Sequence, residues 1–113
     1  MPENKFFRRI GFGFPQLTVG RDVVIGECCN LHKGCTIGAE NRGNREGSPV
    51  LGNRVYVGIN ATIVGNIRIG NDVMIAPNSF VNFDVPDHSV VIGNTIHYKE
   101  NATEGYIAFC NGE

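Results

Sequence analysis

Aliphatic residues recur every six positions along most of this chain. From Leu51 the sequence reads LGNRVY, VGINAT, IVGNIR, IGNDVM, IAPNSF and VNFDVP, and every six opens on Leu, Val or Ile. These leads are Leu51, Val57, Ile63, Ile69, Ile75 and Val81, and the same phase runs upstream through Val19, Ile25, Leu31 and Ile37. The step from Ile37 to Leu51 is fourteen residues rather than six, so eight extra residues are inserted near residues 39–49. Ten leads in one phase mark an internal repeat, which takes precedence over any other reading of the fold.

The other positions of the six carry geometry. Four residues after a lead come Val23, Cys29, Cys35, Val55, Ala61, Ile67, Val73, Ser79 and Val85. They are small or β-branched and share the parity of the lead, so both point to one face of an extended segment. Three residues after a lead come Asp22, Gly34, Asn60, Asn66, Asp72, Asn78 and Asp84, residue types that tolerate a left-handed backbone. Each six therefore predicts a short strand followed by a sharp corner, and no 3.6-residue helical period fits. One such strand cannot bury its own face, so the units must stack. Three strands per coil give a triangular prism of about eighteen residues per coil, with parallel ladders about 4.8 Å apart and the leads along its axis.

Three segments, NLHKGCTIG, PVLGNRVYVGINATIVGNIRIGNDVMIAPNSFV and DVPDHSVVIGN, resemble the hexapeptide-repeat acyltransferases, and most closely their serine O-acetyltransferase-like branch. The resemblance runs over roughly residues 13–94. It implies an all-β fold: a left-handed parallel β-helix, or hexapeptide-repeat solenoid of triangular section, with one inserted loop. On that basis residues 1–16 are an N-terminal lead-in, 17–94 the β-helix domain with its loop at about 39–49, and 95–113 a C-terminal tail. In the lead-in, Phe6, Phe7 and Ile10 are placed to close the open end of the prism, where strand edges would otherwise be bare. In the tail, Asn101 and Glu104 have the spacing of a helix cap pair.

Composition narrows the function. At 113 residues the chain is of single-domain size. Its formal net charge of −1 argues against an electrostatic nucleic-acid surface. No run of 18 apolar residues predicts a membrane helix. FFRRIGFGF is broken by Arg and Gly and does not make a signal-peptide core, so a cytoplasmic protein is expected and the Asn-x-Thr triplets at Asn60 and Asn101 carry no secretory meaning. Of Cys28, Cys29, Cys35 and Cys110, Cys29 and Cys35 fall on inward positions. The group is expected to be free thiols, since zinc-ligand spacings are absent.

The resemblance implies acetyl transfer from acetyl-coenzyme A to a hydroxyl of a small acceptor, serine or a sugar, in clefts of a homotrimer, with no metal. It places the general base at Gly13, or at Phe14 if one deletion is allowed, and neither side chain accepts a proton. A second family histidine falls near Ser48. His32 lies one coil of eighteen from residue 14 and follows the lead Leu31, so its imidazole points outward where it can deprotonate a hydroxyl near neutral pH. The plain alternative is a surface histidine with no role. Arg42 and Arg45 in the inserted loop are candidates to contact the acceptor or the phosphates of coenzyme A. Donor contacts implied by the family fall on the corners Gly58, Ile59, Asn60 and Ala76, Pro77, Asn78, where Pro77 has no N–H to offer. Two other classes stay open. One is a catalytically impaired homologue that trimerises and binds a ligand. The other is a zinc hydratase, which needs three convergent histidines where only His32 lies within the clear repeats.

Overall fold

The structure, a computed structural model, describes residues 17–40, 43 and 46–107. The lead-in aromatics, Gly13, Phe14, Arg42, Arg45 and Cys110 lie outside the described residues. Twelve strands make up the ordered elements: β1 (Thr18–Val19), β2 (Val24–Ile25), β3 (Asn30–Leu31), β4 (Thr36–Gly38), β5 (Val50–Leu51), β6 (Val55–Val57), β7 (Thr62–Val64), β8 (Arg68–Ile69), β9 (Val73–Ile75), β10 (Phe80–Val81), β11 (Ser89–Ile92) and β12 (Thr95–Tyr98).

Through β10 each strand from β4 on pairs with the strand three before it, whereas β11 pairs with β9 and β12 with β11. The result is three sheets, ordered β1-β4-β7-β10, β2-β5-β8 and β3-β6-β9-β11-β12. All the pairings are parallel except β11 with β12. The register sets lead on lead: Val19 faces Ile37, Ile37 faces Ile63, and Ile63 faces Val81. A strand of two or three residues gains little alone. Its stability comes from repeating the same pairing coil after coil, each lead burying its neighbours' apolar surface.

Leu31, Ile37, Val57, Ile63, Ile75 and Val81 are wholly buried, and Ile25, Leu51 and Ile69 nearly so. Val19, in the first described coil, is partly buried against this core. The small positions fill the remaining interior, with Cys29, Cys35, Val55, Ala61, Ile67 and Val73 all buried. The eight inserted residues fall between β4 and β5, where an antiparallel bridge joins Glu40 to Gly47.

Of the corners the pattern points to, Asp22, Asn66 and Asp84 are not left-handed, and near Asn66 it is Gly65 that takes the positive φ, whereas Gly34, Asn60, Asp72 and Asn78 are left-handed. Cys28 and Arg54 occupy the same place with φ of 64° and 58°, so position in the coil overrides residue preference there. Cys28 is thus a buried corner residue. It is disulfide-bonded, which departs from the expectation of free thiols, whereas Cys29 and Cys35 are free. On a second corner column the side chains clamp successive coils. Asn53 Oδ1 accepts the Glu27 amide at 2.8 Å, Asn71 Oδ1 the Asn53 amide at 2.7 Å, and Asp87 Oδ1 the Asn71 amide at 2.7 Å.

The last coil differs from the pattern. Ile75 pairs with Val91 and Ile69 bridges to Val85, so this coil has sixteen residues instead of eighteen. Val85 therefore stacks as a lead rather than as a small-position residue. Asn101 and Glu104 do not cap a helix. The segment after β12 is a series of turns, with Asn101 in the left-handed region at φ 61°.

Candidate functional site

One edge of the prism carries seven of the residues that the sequence points to. His32 follows β3, Gly58 follows β6 and Ala76 follows β9. Their amides donate to the next coil's carbonyls: His32 to Val57 at 3.0 Å, Gly58 to Ile75 at 2.9 Å, and Ala76 to Val91 at 2.8 Å. His32, Gly58 and Ala76 are thus stacked in register, one coil spacing apart. The corners that follow, Gly34, Asn60 and Asn78, share a left-handed backbone. Asn60 donates its amide to Lys33 O at 3.1 Å and Asn78 to Ile59 O at 2.9 Å.

These bonds change what the edge can offer a ligand. The N–H groups of Gly58, Asn60, Ala76 and Asn78 are spent within the prism, and Pro77 has none. What faces outward is the exposed side chains of Ile59, Asn60, Pro77 and Asn78. The edge can therefore present an apolar patch and two carboxamides to an extended ligand.

The His32 ring is half-buried. Tyr56 from β6 packs on it with ring centroids 4.7 Å apart, and Tyr106 packs on Tyr56 at 5.0 Å. Burial lowers the His32 pKa below its ordinary 6.5, because a desolvated imidazole resists becoming charged. A neutral imidazole is the form that can take a proton from a hydroxyl. Tyr56 was legible in the sequence only as an outward residue, and Tyr106 gave no signal, since it lies beyond the last repeat.

A second cluster escaped the sequence reading. Asp72 accepts hydrogen bonds from the Ala102 amide, the Thr103 amide and the Thr103 hydroxyl, at 3.0, 3.0 and 2.6 Å. Its other partner is His88, whose Nδ1 lies 2.7 Å from Oδ2. A depression of about 410 Å³ adjoins it, lined by Arg54, Asp72, His88, Asn101 and Glu104. The clue was positional: Asp72 and His88 both occupy the left-handed corner place, one short coil apart. No group of three metal-ligating side chains converges among the described residues, and no helix among them is long and apolar enough to cross a membrane.

Comparison with known proteins agrees with this geometry. Residues 48–82 match the family model for the bacterial transferase hexapeptide (six repeats). Over 77 residues the chain is 35% identical to the serine acetyltransferase of Synechococcus elongatus, a stretch that covers 68% of this chain and 32% of that protein. The crystal structure of the serine acetyltransferase from Brucella abortus strain S19 superposes with a TM-score of 0.67 at 30% identity, covering 84% of this chain and 41% of that one. The Neisseria gonorrhoeae serine acetyltransferase, solved in complex with serine, gives a TM-score of 0.63 at 34% identity over 79% of this chain and 38% of that one. The chain thus spans less than half the length of each of these relatives. With its period-six core, left-handed corners and lead-on-lead register, and with these likenesses, this chain is a left-handed parallel β-helix that belongs to the hexapeptide-repeat acyltransferase family, on its serine acetyltransferase-like branch.

Proposed function

We propose that this protein transfers an acetyl group from acetyl-coenzyme A to a hydroxyl of a small acceptor, serine or a sugar, with His32 as general base. The observation that carries this reading is the vertical register of His32 with Gly58 and Ala76 on one prism edge, in a chain akin to serine acetyltransferases. Coenzyme A would run along that edge against Ile59, Asn60, Pro77 and Asn78, with its thioester end toward His32. The acceptor hydroxyl loses its proton to the imidazole as its oxygen attacks the thioester carbonyl, and the thiolate of coenzyme A leaves. A positioned base contributes ~10²–10⁴-fold to such a step. Arg42 and Arg45, in the inserted stretch of the sequence, remain the proposed contacts for acceptor or phosphate.

The depression of about 410 Å³ beside Asp72 and another of about 460 Å³ lined by Val50, Arg68 and Asp84 lie elsewhere. A homotrimer, with the exposed Phe80 and the outward Val64 on the contacting faces, would wall that edge. The test is thiol release from acetyl-coenzyme A with serine and a panel of sugars. His32→Ala is expected to lose about a hundredfold or more in kcat with coenzyme A affinity unchanged. Unchanged turnover removes His32 from the mechanism. A second reading, a catalytically impaired homologue that still binds a ligand, draws on Gly13 and Phe14 standing where the family base is implied. It predicts coenzyme A binding without turnover of any acceptor.

A further inference from the structure

The chain beyond β12 folds back along the prism. Asn101 turns it with φ of 61°, and Ala102, Thr103 and Ile107 are buried, Thr103 completely. Asp72 holds this segment through the Ala102 amide, the Thr103 amide and the Thr103 hydroxyl. Farther along, Asn30 Nδ2 donates to Tyr106 O at 3.2 Å. That bond fixes the Tyr106 backbone over the first described coil, seventy-six residues away in sequence. The Tyr106 ring then lies against Tyr56, and Tyr56 against His32. A continuous run of contacts thus joins the Asp72 corner to the candidate base.

We propose that residues 102–107 form a strap that presses Tyr56 onto His32, with Tyr106 and Asp72 as positioning residues for the acetyl transfer. This rests on the function proposed above. Without Tyr106, the Tyr56 side chain would stand on an outer sheet face with water on its far side and several orientations open to it. With Tyr106 behind it, the phenol ring is held between two aromatic neighbours, an arrangement favoured beyond its area burial. The imidazole then keeps one face dry and its ring plane fixed, which a base needs if it is to meet a hydroxyl within hydrogen-bond reach. Among the described residues, Tyr56 from β6 packs on its ring and Tyr106 of the strap reaches it through Tyr56, while Lys33 follows it in sequence. Burial lowers its pKa, and Tyr56 covers one side of the ring.

The strap can be tested with or without turnover, by nuclear magnetic resonance titration of the His32 ring in the full chain. Tyr106→Ala should move the His32 midpoint upward toward its ordinary value, and the acid limb of kcat/KM should move with it while the KM for acetyl-coenzyme A stays within about twofold. Tyr106→Phe, which keeps the ring, should titrate as the parent does. Thr103→Val removes the hydroxyl that Asp72 accepts at nearly constant volume. It should raise hydrogen exchange at the Ala102 and Thr103 amides by about tenfold or more and shift His32 in the same direction as Tyr106→Ala. A His32 midpoint that is the same in Tyr106→Ala and parent overturns the proposal. If the parent turns over no acceptor, the proposed function fails while the ring titration still decides the strap.

Discussion

His88 Nδ1 donates to Asp72 Oδ2 across 2.7 Å, and the two residues are sixteen apart in sequence. Both sit at left-handed corners, with φ of 58° each. The short last coil stacks one above the other. The same carboxylate carries the Thr103 hydroxyl and two strap amides, so one buried anion ties the last coil and the strap to the coil below.

Stability should therefore depend on acid in a way that Asp72 sets. Burial alone would raise its carboxyl, but the bonds from Thr103, His88 and the two amides outweigh that and hold it at about 2 against an ordinary 3.8. A depressed carboxyl stabilises the fold above its unfolded value, and that stabilisation is lost as pH falls from 3.8 toward 2. The loss should amount to about 2 kcal/mol. Thermal melts of the parent across this window should show it, and Asp72→Asn should flatten that part of the profile. A parent curve no steeper than that of the variant would refute the assignment.

His88 predicts a change at the other end of the scale. The bond to Asp72 raises its pKa above 6.5. Its contribution is complete below 6.5 and fades as pH rises through the raised value. His88→Ala should be less stable than the parent at pH 6, and the gap should narrow in alkaline buffer. A gap that does not change with pH would count against a charged bond.

Glycines in equivalent coils should differ sharply in tolerance. A Cβ on Gly58 would meet Pro77 N at 2.7 Å and Ile75 O at 2.9 Å, both backbone atoms of the next coil. Gly58→Ala must force the coils apart and should cost about 1–3 kcal/mol. A Cβ on Gly38 meets nothing within 4 Å, so Gly38→Ala should change stability by no more than about 0.5 kcal/mol. Denaturant midpoints of the two variants decide it, and equal midpoints would sink the contrast.

The corner ladder of carboxamides makes a finer prediction. Asn71→Ala leaves the Asn53 amide without its 2.7 Å acceptor and should cost about 1 kcal/mol. Asn71→Asp should be nearly neutral, because Asp87 already serves the Asn71 amide in the same way one coil on. Urea unfolding of both variants gives the comparison.

The two interior thiols should be inert. Burial pushes Cys29 and Cys35 up to about 11 each, so almost no thiolate forms near neutral pH. Iodoacetamide at pH 8 should label neither in the folded protein and both in urea. Labelling of the folded protein at the rate of a free thiol would contradict their burial.

The period of six determined the prism. Parity along a short strand decides which side chains face the axis, and parity is a local property of the sequence. That is why Val19 through Val81 could be placed inward without any knowledge of their partners, and why the eight extra residues after Ile37 could be counted. The same local rule gave the edge where His32, Gly58 and Ala76 stack, since one coil of eighteen brings equivalent positions into register. It could not tell that Val85 had become a lead, because a lead and a small-position residue share one parity and only pairing with Ile69 separates them. Nor could it give the Asp72–Thr103 bond or the Tyr106–Tyr56–His32 series. The segment that supplies Thr103 and Tyr106 has no repeat, so nothing in its own spacing encodes where it lands. Tertiary structure decided that, through a buried carboxylate that had to find donors thirty-one residues away and an aromatic face that had to be covered.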